Sequence, residues 1–166
     1  MPLRPYTIAL RGMYYGRLGD GASDERLPAL FIGYPGLVRG YDQNSFESSE
    51  CVGTVTGSCP VFDRLIGSRV AVANAELRFP IWGAFSRSQF YGPLPVEAAL
   101  FTDAGIAWGH SDRSGFAPGD NQPVVSVGAA LRVNVLGFAV AEIDYVRPLD
   151  RPQRGWLWQF SLRPGF

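Results

Sequence analysis

Val125-Ser126-Val127-Gly128-Ala129-Ala130-Leu131-Arg132-Val133-Asn134-Val135 is the stretch that decides the fold. Every odd-numbered residue is apolar, while the even positions hold Ser126, Gly128, Ala130, Arg132 and Asn134. A repeat of two is that of a β-strand, whose side chains point alternately to opposite faces. One wholly apolar face opposite small and charged residues fits a sheet with lipid or a dry core on one side.

The same alternation recurs in both directions. Downstream, Ala141, Ile143 and Tyr145 alternate with Glu142 and Asp144. Trp156, Trp158, Phe160, Leu162 and Phe166 share one parity, and Gln159, Ser161 and Arg163 the other. Upstream, Ala73, Ala75, Leu77 and Phe79 alternate with Asn74, Glu76 and Arg78. Next, Ala98, Leu100, Thr102, Ala104, Ile106 and Trp108 alternate with Glu97, Ala99, Phe101, Asp103 and Gly105. A first strand covers about Tyr6 to Leu18, with Tyr6, Ile8, Leu10 and Tyr14 on its apolar face. Helical periodicity is almost absent, so the chain reads as all-β with about six antiparallel strands.

Strand length and loop asymmetry give the sheet a setting. Each strand approaches the ~9–11 residues that a tilted strand needs to cross a bilayer. Residues 19–66 form a long loop and 109–123, with His110, Asp112, Arg113 and Asp120, a polar one, whereas Leu136-Gly137 reads as a tight turn. Long loops at one end and short turns at the other are the pattern of a transmembrane β-barrel. Trp82, Phe85, Trp108, Tyr145, Trp156 and Trp158 stand near strand ends, where aromatic girdles sit. The alternative is a soluble antiparallel barrel or sandwich whose polar face meets solvent.

Composition narrows the function. Fifteen basic residues, all arginine, balance fifteen acidic ones, so no bulk field points to nucleic acid. No apolar run reaches the ~18 residues of a membrane-spanning helix, and the start Met1-Pro2-Leu3-Arg4-Pro5 has no signal-peptide pattern. Cys51 and Cys59, in a Gly/Ser/Thr-rich stretch, read either as a disulfide closing a small loop in an oxidising compartment or as two free thiols. A metal site is not expected, since the sole histidine, His110, is remote from both.

One constellation stands out. Arg39, in Val38-Arg39-Gly40-Tyr41, lies in the long loop, and two strands offer one carboxylate each on the same face, Glu76 and Asp103. An arginine in a partly dry lumen needs anionic partners, and its planar fork can bridge two carboxylates. Read as a glycosidase pair, the two acids would be held ionised by Arg39, leaving no protonated acid. With no nucleophile elbow and no phosphate loop, neither an enzyme site nor a cofactor is expected.

In this order and on consistent strand parity, the motifs resemble the C-terminal half of the barrel of the BamA/TamA superfamily of outer-membrane insertases and translocases, the bacterial surface antigen domain. The resemblance covers about residues 5–166. That family's (V)RG(F/Y) loop tip is matched by Val38-Arg39-Gly40-Tyr41, its strand glutamate by Glu76, and its F-x-D-x-G motif by Phe101, Asp103 and Gly105. Its L-x-x-D-Y-x-x-P-L pattern is matched over Val140 to Leu149 by Asp144, Tyr145, Pro148 and Leu149. The ending Phe160-Ser161-Leu162-Arg163-Pro164-Gly165-Phe166 looks like the terminal aromatic signal of barrel substrates, carried by Phe160, Leu162 and Phe166.

The resemblance implies a bacterial outer-membrane location. It also implies that residues 19–66 form an extracellular loop folded into the lumen, where Arg39, Gly40 and Tyr41 meet Glu76 and Asp103. Its implied partners are outer-membrane lipid, the barrel assembly machinery and unfolded outer-membrane proteins. The family's barrel has about sixteen strands, and single-chain barrels start at about eight. With about six, residues 1–166 are expected to be the C-terminal portion of a longer barrel protein. Two further functions stay open: a barrel that anchors an N-terminal passenger, and a soluble barrel that binds an apolar ligand.

Overall fold

A computed structural model describes residues 6–19, 21, 24, 26–51, 59–81, 96–109, 122–135 and 138–164. Its strands are β1 (Thr7–Gly16), β2 (Leu30–Phe31), β3 (Ile66–Gly67), β4 (Arg69–Pro80), β5 (Val96–Trp108), β6 (Val124–Val135), β7 (Ala139–Pro148) and β8 (Leu157–Pro164). The six long strands form one antiparallel sheet in the order β1-β4-β5-β6-β7-β8. Among the described residues β1 and β8 are its two edges, so the sheet is not closed. Trp82, Phe85, His110, Asp112, Arg113, Asp120, Leu136, Gly137 and Phe166 lie outside the described residues.

The register lines the faces up across all six strands. Ile8, Leu77, Leu100, Ala129, Tyr145 and Trp158 are successive partners in one row. One residue over, Glu76, Phe101, Gly128, Val146 and Leu157 form a row on the opposite face. A one-residue slip in any ladder would mix these rows, so the alternation in the sequence fixes the pairing.

The distribution of polarity across the sheet is the reverse of a water-soluble protein. Leu100, Ile143, Phe160 and Leu162 are exposed, while Glu76, Asp103, Ser126, Glu142 and Asp144 are buried. A soluble barrel would place the leucines and phenylalanine inside and the carboxylates outside. An apolar exterior around a polar interior is the transmembrane β-barrel arrangement. Aromatic rings mark both ends of the strands. Tyr145 stacks on Trp156 and packs against Trp158 at the long-loop end, and Tyr6 meets Phe79 at the other.

The polar side of the sheet is covered by the connection from β1 to β4. The sequence reading leaves it as one long loop; the structure adds the small β2–β3 sheet, two single turns of 3-10 helix and one short α-helix, α1 (Pro60–Asp63). These elements are two to four residues long, too short for any periodicity to announce them. Ile32, Val38, Tyr41 and Leu65 of the loop are fully buried against Val70, Val72, Ala107 and Val124 of the strands. Phe31, Phe46 and Phe62 cluster behind them, with ring centroids 5.3–5.5 Å apart. One apolar core is therefore a loop–wall interface, and a smaller one lies within the sheet, made of Ala99, Phe101, Ala130 and Val146 with Leu157 against them.

Candidate functional site

One tight turn and one wider backbone closure bring the loop tip down onto the wall. Leu37 N–H donates to the Tyr34 carbonyl and Val38 N–H to the Ile32 carbonyl. At the bottom Gly40 adopts φ +85°, a conformation that side chains with a Cβ rarely take. Val38 and Ile32 then close on Gly105, where a Cβ would come within 2.6 Å of Val38 Cγ2. The glycine of the Phe101-Thr102-Asp103-Ala104-Gly105 stretch is thus the spot where the loop touches the strand.

Arg39 enters the polar face between these contacts and is 3% exposed. Its Nε donates to Asp103 Oδ2 at 2.7 Å and Nη2 to Asp103 Oδ1 at 2.9 Å, a bidentate pair. Nη2 also donates to Glu76 Oε1 at 2.9 Å, and Nη1 to Glu142 Oε1 at 3.2 Å. Asp144 Oδ1 lies 3.6 Å from Nη1. The Arg39 backbone N–H donates to Asp103 Oδ2 as well. Beneath the guanidinium lies the Phe101 ring, its centroid 3.4 Å away, so the cation sits on a π face while its edges meet carboxylates. Phe101 can lie flat because its cross-strand partner is Gly128, where a Cβ would come within 2.5 Å of the ring. Burial opposes the Arg39 charge, but the Asp103 bonds and the surrounding carboxylates outweigh it and hold the guanidinium more firmly protonated than usual.

A second arginine ties the acids together. Arg132 Nη2 and Nη1 donate to the two Glu76 oxygens at 2.7 and 2.8 Å, and its Nε donates to Glu142 Oε2 at 2.7 Å. Arg78 adds a bond to Glu76 Oε2 at 2.7 Å, and Arg163 lies 3.3 Å from Glu142 Oε2. Asn74 Nδ2 donates both to Asp103 Oδ1 and to the Leu37 carbonyl, joining strand and loop. The result is a lattice of alternating charge on β4, β5, β6, β7 and β8 with Arg39 at its centre.

Tyr41 and Gly40 extend the attachment. The Tyr41 hydroxyl donates to the Val125 carbonyl at 2.8 Å and contacts Asp150 Oδ2 at 3.2 Å, and burial pushes its ionisation above the usual tyrosine range. Gly40 N–H donates to Gln159 Oε1 of β8 at 3.0 Å. The Gly40 carbonyl accepts from Arg151, a fully buried arginine after β7. Arg151 also donates to both Glu50 oxygens, at 2.6 and 2.7 Å, and to Ser45, with its guanidinium over the Phe46 ring. Glu50 precedes Cys51, which is disulfide-bonded to Cys59.

The structure therefore brings Arg39, Gly40, Tyr41, Glu76 and Asp103 together. Glu142, Asp144 and Arg132 complete the cluster, and sequence reasoning did not place them there. The signal was present, since all three share the polar parity of their strands. Arg151 and Glu50 had no such signal, because both lie outside the strands, 101 residues apart in the chain. Phe160 and Leu162 are not part of the site; both face outward and are 64% exposed.

A family model for the Omp85 superfamily domain matches residues 9–163. Comparison with curated proteins and with solved structures gave no match. The match reaches all six long strands and takes in the covering loop, and the chain belongs to the Omp85 superfamily, that of the BamA/TamA outer-membrane proteins.

Proposed function

We propose that this chain forms part of the wall of a bacterial outer-membrane β-barrel that inserts or translocates polypeptides, with the Arg39 loop as its internal latch. The observation that carries this reading is the buried Arg39 set among four carboxylates on a sheet whose other face is apolar. Hydrocarbon does not tolerate the unpaired N–H and C=O groups of an open sheet edge. The edges β1 and β8 are accordingly taken to pair with further strands, so that the six described strands make one wall of a larger barrel. A cluster of buried ions need not add stability, but it fixes where the loop sits. The tip is held both by this polar lattice and by the apolar packing of Ile32, Val38, Tyr41 and Leu65 on the wall, so its release would break both kinds of contact.

The test is reconstitution. The larger barrel of which these six strands form one wall is inserted into vesicles of outer-membrane lipid, and the folding rate of an added, urea-unfolded barrel protein is followed by heat-modifiable gel migration. Faster folding than in empty vesicles supports the insertase reading. An inserted, heat-modifiable chain that leaves the rate unchanged points instead to an anchor for a passenger. A monodisperse monomer that needs no detergent would overturn the membrane reading.

A further inference from the structure

On the apolar, outward face of the six long strands only two positions hold a charged residue, Arg69 and Arg147. Both stand at the long-loop end, as the first residue of β4 and the last but one of β7. Arg69 is half-buried and donates to the Arg17 carbonyl. Arg147 is exposed and has no hydrogen-bond or ion-pair partner among the described residues. Its neighbours set its direction. Val146 and Pro148 are buried and lie against Gly40 of the loop tip, so Arg147, between them, points to the opposite side of the sheet.

The surroundings of Arg147 decide what it can meet. Two residues earlier on the same face is Tyr145, its ring centroid 4.8 Å from that of Trp156 and 4.6 Å from that of Trp158. The two tryptophans are 47% and 73% exposed. Amphipathic rings of this kind settle at the boundary between acyl chains and headgroups. Two residues of strand carry Arg147 roughly 7 Å beyond Tyr145 towards the loops, to the headgroup level. Its partner on β6 is Val127, which offers no counter-charge. A lipid-facing arginine is costly at the bilayer midplane and nearly neutral at the interface, so this end of the strand is where one can stand.

We propose that Arg147 binds the phosphate of an anionic lipid headgroup in the leaflet at the long-loop end, with Tyr145, Trp156 and Trp158 against the acyl chains of the same lipid. The planar fork of a guanidinium holds two oxygens of one phosphate, and the donors of Arg147 are unused. No carboxylate shares the outward face of the six strands, so a headgroup meets no competing anion there. The site rests on the membrane reading and is independent of whether the barrel inserts polypeptides.

The test places the larger barrel in phosphatidylcholine vesicles that contain one brominated lipid, either phosphatidic acid or phosphatidylcholine, at the same mole fraction. Bromine on an acyl chain quenches the tryptophans it touches, so emission reports which lipid sits beside Trp156 and Trp158. We expect phosphatidic acid to be preferred about tenfold, the scale of one charge-assisted hydrogen bond, and less so in high salt. Arg147→Gln should abolish the preference and Arg147→Lys should keep part of it. Arg154→Gln, which removes a loop arginine paired with Glu47, should leave it intact. Heat-modifiable migration shows that each variant is folded. Equal quenching by both lipids in the parent barrel, a preference undiminished in Arg147→Gln, or an equal loss in Arg154→Gln would overturn the site. So would displacement of phosphatidic acid by millimolar inorganic phosphate, which would assign Arg147 to a soluble anion. Quenching by neither lipid would overturn the membrane reading and the site with it, an outcome distinct from failure of the site alone.

Discussion

Shape and charge act together on Arg39. The Phe101 ring sets the plane of the guanidinium, and four carboxylates then meet its edge. Arg39→Ala removes the only loop cation from that ring of acids. Leaving buried charges unpaired costs about 3–5 kcal/mol, so the loop should undock and become protease-sensitive. Arg39→Lys should recover only part of this, because a compact ammonium cannot serve Asp103, Glu76 and Glu142 at once. Arg26→Ala, which removes an exposed pair with Asp24, should leave protection unchanged. Gly105→Ala should act from the other side of the contact. Its methyl group meets Val38 and Ile32, and overpacking of this kind costs about 1–3 kcal/mol. Tyr41 adds a pH dependence. Its folded ionisation is raised by burial, so its contribution to docking is complete below the ordinary tyrosine value of about 10 and is lost as pH rises beyond it. Difference titration at 295 nm with a parallel protease assay should show an alkaline release of the loop that is missing in Tyr41→Phe.

Among the elements, the strands were legible and the loop was not. Alternation from Val125 to Val135 places each side chain on its face, and the observed β6 differs from that reading by one residue. Arg132, Glu142 and Asp144 could have joined the cluster on parity alone, since the strand order puts β6 beside β5 and β7 next after β6. The loop resists such reading because its order comes from long-range contacts between short, aperiodic segments. Arg151 with Glu50, and Phe46 with Phe62, are examples. The Cys51–Cys59 bond belongs to this distal part, next to Glu50. Its removal as Cys51→Ser with Cys59→Ser should cost about 2–3 kcal/mol, the effect of closing a short chain segment. Limited proteolysis should then cut near residues 46–63 while the Arg39 tip stays protected. Simultaneous release of both parts would show that the loop docks as a single unit.

For the whole molecule, polarity sorting decides the behaviour. The exposed rows of Leu, Ile, Phe and Trp require lipid or detergent. Removal of detergent should precipitate the chain even at pH values where its net charge is far from zero. A single loop tip, residues 38–41, bonds directly to β4, β5 and β7 through Arg39, to β6 through Tyr41, and to β8 through Gly40. Those bonds reach their lengths only while the strands keep their present spacing and arrangement. Flattening or widening the sheet would pull the carboxylates and Gln159 apart and leave the guanidinium short of its outermost partners. The loop tip is in this sense a keystone, and its seating measures how the six strands are splayed. Coupling of this kind is reciprocal. Whatever prises the strands apart must also weaken the seat of Arg39, and whatever lifts Arg39 must slacken the wall.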